Sequence, residues 1–150
     1  MDTITVDAGE LAAAVKYASR WVPGRPAAPI NGGMLFRAGQ GWLDLYALND
    51  VATGRASVPL DVLTEGAAGS FVVSGRLIAA VAAPLGGGSV QLEPAAAEVR
   101  MTNGRFWTTL PLMTEDDYPS VGAGHPLVGK FSGHALADAI RRVAPAASRN

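Results

Sequence analysis

The sequence predicts an α+β fold in which helices lie on one side of antiparallel sheets, built from a β-α-β-β-β unit used twice. Three observations carry that expectation. Short runs alternating apolar and polar residues are separated by Gly, Pro and Asn turn signals, as strands in hairpins are. Two helical patterns each sit between one strand and a group of three, which is the layered arrangement of an α+β domain. The start of the chain is also echoed near its end: Thr5–Lys16 lies on Lys130–Arg141 at an offset of 125 residues, the distance from Asp7 to Ser132.

In chain order, Thr3–Val6 reads as a short strand. Ala8–Ser19 reads as a helix with Leu11, Val15 and Ala18 on one face and Asp7 as its N-cap, because a carboxylate there accepts a free amide of the first turn. Trp21–Gly33 carries three prolines and three glycines and is a loop. Met34–Ala38 and Trp42–Ala47 are strands around Gly39-Gln40-Gly41, and Val51–Val58 is a third. Gly69–Ser74 is a fourth, carried by Phe71-Val72-Val73. Arg76–Ala83 is a second helix, stopped by Pro84 and Gly86-Gly87-Gly88. Val90–Glu93, Glu98–Thr102 and Arg105–Leu110 are strands, the last two joined by Asn103-Gly104, for which a type I′ turn with positive φ at both residues is expected. Pro111–His125 is an acidic linker. Leu127–Phe131 and Ser132–Val143 then repeat the opening strand and helix, with Ser132 as the cap. The expected division is one module over 1–121 and the opening of a second over 122–150.

Hydrophobic content of 49% against 17% charged residues excludes a disordered chain, and 150 residues suffice for one ordinary core. A net charge of −1 leaves no global attraction to nucleic acid or to membranes, so any such binding depends on local clustering. With no cysteine, disulfides and zinc-thiolate sites are excluded. No apolar run reaches the roughly 20 residues of a membrane span, and the N-terminus lacks a leader pattern, so a cytoplasmic protein without membrane contact is expected.

Chemistry-bearing patterns are sparse. Glu115-Asp116-Asp117 has no nearby His and reads as solvated surface, so no metal is expected. Gly86-Gly87-Gly88 follows a helix instead of opening one and lacks the N-terminal amides that hold a phosphate. His125 and His134 have no matching nucleophile or acid, and no triad, Walker loop or carboxylate pair is present. The expectation is a non-enzyme without a cofactor. The cations say more. Lys16, Arg20, Arg25, Arg76, Arg141, Arg142 and Arg149 lie on or just after helices, whose own acids are only Glu10 and Asp138. A positive helical face on a neutral protein suits phosphate-backbone contact, which is electrostatic and blind to sequence.

The loop Pro23-Gly24-Arg25-Pro26-Ala27-Ala28-Pro29-Ile30 resembles the P-x-R-P-x-x-P-I loop of the bacterial sliding clamps, the beta subunits of DNA polymerase III. Thr109-Leu110-Pro111 with Asp117-Tyr118-Pro119 is similar to the T-L-P…D-[FY]-P close of their first domain. Asn49-Asp50 stands where they carry an Asp, and Ala147–Asn150 is similar to their segment after the first helix of domain two. The resemblance runs over essentially the whole chain.

It implies the DNA clamp fold and a non-catalytic accessory subunit of the polymerase. Clamps are three-domain chains joined head to tail around duplex DNA, with helices lining the hole, and they tether the polymerase. It implies double-stranded DNA, polymerase III subunits, the clamp loader and another clamp subunit as partners. Carried over by position, Arg25 and Arg149 correspond to DNA-contacting places. Lys16, Arg20, Arg76, Arg141 and Arg142 follow from their helices. Trp107 falls where the family has an apolar interface residue, with Arg105 on the same strand. Leu77 and Ile78 on the second helix face either core or interface. Phe106 and Leu110 are expected in the core, with Trp107 on the opposite face, meeting a partner or covered by Leu112–Met113. Asn31 replaces a usual Leu, the linker Leu112–Asp117 is longer than usual, and the resemblance reaches only the first domain and the opening of the second, as expected of a clamp subunit or a fragment of one. A truncated clamp-like module that docks on, or competes with, a full clamp is the alternative expectation.

Overall fold

A computed structural model describes residues 2–122 and 126–148. The elements run β1 (Ile4–Asp7), α1 (Ala8–Ala18), β2 (Gly33–Gly39), β3 (Trp42–Leu48), β4 (Thr53–Pro59), β5 (Gly69–Ser74), α2 (Gly75–Ala82), β6 (Ser89–Pro94), β7 (Glu98–Asn103), β8 (Phe106–Met113) and α3 (Gly133–Val143). The expected twofold β-α-β-β-β order is present. Short 3-10 turns add to it at Pro29–Gly32 inside the proline loop and at Glu115–Asp117 inside the acidic linker.

The eight strands are ordered β1-β6-β7-β8-β5-β2-β3-β4, and every pairing is antiparallel. The first strand of each half pairs with the meander of the other half: β1 lies on β6, and β5 lies on β2. The halves are therefore interlocked. They join through β8, whose Leu112 and Met113 alone pair with β5, opposite Val73 and Val72. The free edge of β1 is tied to the turn after β4: the Asp61 amide donates to the Thr5 carbonyl at 2.8 Å, and the Thr5 amide donates to Thr64 Oγ1 at 3.1 Å.

Both helices form for local reasons. Asp7 Oδ1 accepts from the Glu10 amide at 2.9 Å, and Ser74 Oγ accepts from the Leu77 amide at 3.4 Å. Leu11, Val15 and Ala18 of α1 are buried, as their spacing requires, and meet Leu43, Leu45 and Val58 in one cluster. Each such Leu or Val removed from water contributes about 2 kcal/mol. Phe36 and Phe71 stack at 5.0 Å in the same core. A second, smaller core of Leu35, Val72 and Tyr118 lies on the opposite face of the sheet.

Four expectations need correction. Gln40 and Gly41, with φ of 52° and 79°, make the turn with two positive φ values. The β7–β8 turn instead consists of Gly104 and Arg105, with positive φ at Gly104 only, because Asn103 still pairs with Phe106. Glycine at the first central position is the II′ pattern. β8 runs on to Met113, past Pro111, since its last residues join β5. Leu127–Phe131 forms no strand, and all five residues are exposed. A strand without a neighbour cannot satisfy its backbone, and no described strand lies beside it. Phe106 is 46% exposed, whereas Leu110 is buried as expected.

In α3, Ser132 caps the helix as expected, but every described residue of 126–148 except Asp138 is exposed. Leu136, Ile140 and Val143 correspond to the buried Leu11, Val15 and Ala18 of α1, yet stand 47%, 53% and 66% exposed. Amides of Gly133–Val143 are therefore expected to exchange with solvent faster than those of Ala8–Ala18. Native-state hydrogen exchange checks this, and equal protection of both helices would mean that the α3 face is covered.

Candidate nucleic-acid interface

Burying Leu11, Ala14, Val15 and Ala18 leaves Gly9, Glu10, Ala13, Lys16, Tyr17 and Arg20 as the exposed stripe of α1 and its continuation. Lys16 sits in the last turn, where a cation complements the helix dipole. α1 and α2 enclose a shallow groove of about 460 Å³, lined by Ala12, Ala13, Lys16 and Ser19 on one side and by Ala79 and Ala82 on the other. Ser19 also borders a second groove of about 470 Å³, between the proline loop and the start of α2, where Arg76 lies. Lys16 and Arg76 thus border adjoining parts of one helical face.

Arg25 is exposed in the proline loop. It shares a cavity of about 80 Å³ with Asn31, Asn49 and Asp50. Asn49 is held there by its own turn, its Oδ1 accepting from the Val51 and Ala52 amides at 3.0 and 2.9 Å. Among the described residues, Lys16, Arg20, Arg25 and Arg76 form no ion pair. Arg141 and Arg142 both pair with Asp138, at 3.7 and 3.1 Å, so part of their charge is neutralised on the helix itself. The fold thus brings Lys16 and Arg76 to adjoining grooves, and it does not bring α3 to this face. Arg149, like His125, lies outside the described residues.

Of the expected interface residues, Ile78 is corrected: it is 1% exposed and belongs to the core, because it is the inward position of α2. Leu77 is 45% exposed. Arg105 is exposed at the β7–β8 turn. Trp107 is 60% exposed, with the Arg100 guanidinium over its ring at 5.0 Å. Leu112 and Met113 do not cover it, since they pack against the two cores on either face of the sheet. From Phe106 to Pro111, β8 pairs only with β7, which leaves that stretch of backbone open on its other side.

Tyr118, singled out in the sequence only as part of the D-Y-P close, has a structural role that the motif did not announce. Its hydroxyl donates within reach of the Gly33 and Tyr46 carbonyls, at 3.3 and 3.2 Å, and clasps the linker onto the sheet. Burial pushes its phenol up to about 12, offset in part by the backbone of Leu35. Its signal in the sequence was its place in the Asp117-Tyr118-Pro119 motif, at the end of an acidic segment. Glu115 of that segment accepts from Ser70 Oγ, and no cluster of three metal-ligating side chains occurs among the described residues.

No profile of a known protein family matches the chain. The chain is 31% identical over 147 residues to the beta sliding clamp of Streptomyces coelicolor, covering 98% of itself and 38% of that protein. It is 30% identical over 146 residues to the beta sliding clamp of Micrococcus luteus, covering 97% and 46%. It therefore spans less than half the length of these relatives. Among solved structures, the DNA polymerase III beta subunit of Thermotoga maritima superposes with a TM-score of 0.73 at 21% identity, over 82% of this chain and 33% of that one. The Helicobacter pylori beta clamp bound to a DNA ligase peptide superposes with a TM-score of 0.82 at 16% identity, over 99% and 41%. The chain has the fold of the beta clamps, and its sequence resemblance is to proteins of that name.

Proposed function

We propose that this chain serves as a sliding-clamp domain, a non-catalytic element that helps to encircle duplex DNA and tether the replicative polymerase. The observation that carries the reading is the helical face of the clamp fold, where Lys16, Arg20 and Arg76, and Arg25 in the proline loop that borders the start of α2, carry no ion pairs among the described residues of a chain with net charge −1. Such a face attracts phosphates without reading bases. In this reading Arg141, Arg142 and Arg149 belong to the start of a second module over 122–150. That boundary is supported by the match of Leu136, Ile140 and Val143 to the buried face of α1. The partners are duplex DNA, polymerase III subunits, the clamp loader and a further clamp subunit joined head to tail, all in the cytoplasm. No described helix is long and apolar enough to cross a membrane.

Fluorescence anisotropy with blunt duplex DNA tests this. One domain lacks the topological linkage of a closed ring, so weak binding is expected. With about four phosphate contacts, affinity should fall about a hundredfold between 50 and 200 mM salt. Arg25→Glu should weaken binding a further fewfold, equally for all sequences. Binding indifferent to salt, or selective for one sequence over its scramble, would overturn the reading.

A second reading follows from a different observation, the open stretch of β8 that carries Trp107 and begins after Arg105. There the chain is a clamp-like module that docks on, or competes with, a full clamp through that edge.

A further inference from the structure

We propose that Tyr17 and Arg20 form a stacking platform for an unpaired base, so that this face holds single-stranded or frayed nucleic acid more tightly than intact duplex. The proposal rests on the nucleic-acid reading above and adds a ligand class to it.

Tyr17 is 42% exposed, on the α1 stripe that also carries Lys16 and Arg20. It is held from behind. Its ring meets Trp21 at 4.8 Å with a tilt of 54°, and the Arg20 guanidinium lies over it at 5.6 Å. Trp21 is itself seated on β4: a Cβ at Gly54 would stand 2.4 Å from the Trp21 ring, so only glycine allows that seat. An aromatic side chain fixed in this way offers a base face at little cost in conformational entropy.

The surrounding charge selects the ligand. Other arginine–aromatic pairs occur on the sheet face, but acids accompany them. Arg55 over Tyr46 is bound by Asp44 at 2.8 Å, and Arg100 over Trp107 lies opposite Glu93 in the β6–β7 register. Neither Lys16 nor Arg20 has an acidic partner among the described residues. Phosphates on both sides of a stacked base would therefore meet cations at Tyr17 and mixed charge at the other two places. A base enters by taking the guanidinium's position over the ring, while Arg20 moves to its far face or to a phosphate. Bases within an intact duplex already stack on each other and present no free face, so the contact distinguishes strand ends and tails.

The test compares three labelled DNAs by anisotropy at low salt: a blunt duplex, the same duplex with a single-stranded thymidine tail, and the same duplex with an abasic tail of equal length. The two tails carry equal charge and differ only in bases. The chain is expected to bind the thymidine tail about tenfold more tightly than the abasic one. Tyr17→Leu should abolish that difference, and Tyr17→Phe, which keeps the ring, should retain it. Equal affinity for both tails overturns the proposal without recourse to any variant, as does a preference that survives Tyr17→Leu. Failure to bind even the blunt duplex overturns the nucleic-acid reading itself, a separate outcome.

Discussion

Tyr118→Ala is expected to destabilise the chain by about 3–4 kcal/mol, since it removes a large buried side chain and leaves a cavity over Leu35 and Val72. The site leaves little room to collapse. At Gly33 a Cβ would stand 2.7 Å from Val72 Cγ1 and 2.9 Å from the Ile30 carbonyl, so the backbone beneath the ring is already in close contact. Tyr118→Phe keeps the ring and loses only the hydroxyl bonded to the Gly33 and Tyr46 carbonyls, at about 1 kcal/mol. The two variants separate packing from hydrogen bonding in urea denaturation. They also predict a pH dependence. The folded phenol titrates at about 12, against 10.0 for an ordinary tyrosine. Below pH 10 both states are neutral and the full contribution is present. Between pH 10 and about 12 the unfolded chain ionises first, and stability falls by on the order of 2 kcal/mol. The difference between wild type and Tyr118→Phe, measured at pH 8 and at pH 12, isolates this loss. A constant difference across that window would mean that the phenol is not held neutral by burial.

Trp107→Ala is expected to weaken self-association by about 2 kcal/mol, roughly thirtyfold in Kd, if β8 is the contact edge. A large aromatic that is 60% exposed beside a strand whose Phe106–Pro111 backbone pairs on one side only has the composition of an interface anchor. Phe106, half-exposed and on the other face of the same strand, would flank it. Sedimentation velocity over a range of concentrations should show wild type associating and Trp107→Ala shifted to monomer. Wild type that stays monomeric at high concentration, and does not bind an isolated third domain of a clamp, would remove the interface. The role of Trp107 would then reduce to its stacking on Arg100.

Whatever is settled within a few residues of chain was legible from the order of the amino acids alone. Asp7 and Ser132 announce helix starts because a cap acts over three residues, and both caps are made. Leu11, Val15 and Ala18 announce the buried side of α1 because helical periodicity places them on one face. The turn signals separated the strands, and with them the twofold order and the α+β class. The proline loop and the T-L-P…D-Y-P close carried the resemblance to the clamps, and the similarity to proteins of that name agrees. The tertiary structure decided which strand lies beside which. No local pattern says that β1 pairs with β6 and β5 with β2, because either pairing buries the same alternating residues. It decided that Ile78 faces the core, because α2 packs over β5 and β2, and that Phe106 is half-exposed. It decided that Leu127–Phe131 has no strand to join, although its composition suits one. And it placed Tyr118 across the sheet, 85 residues from one of the carbonyls it binds. Caps and periodicity act through the chain's own neighbours, whereas pairing, edges and long-range clasps act through contacts that exist only once the chain has closed on itself.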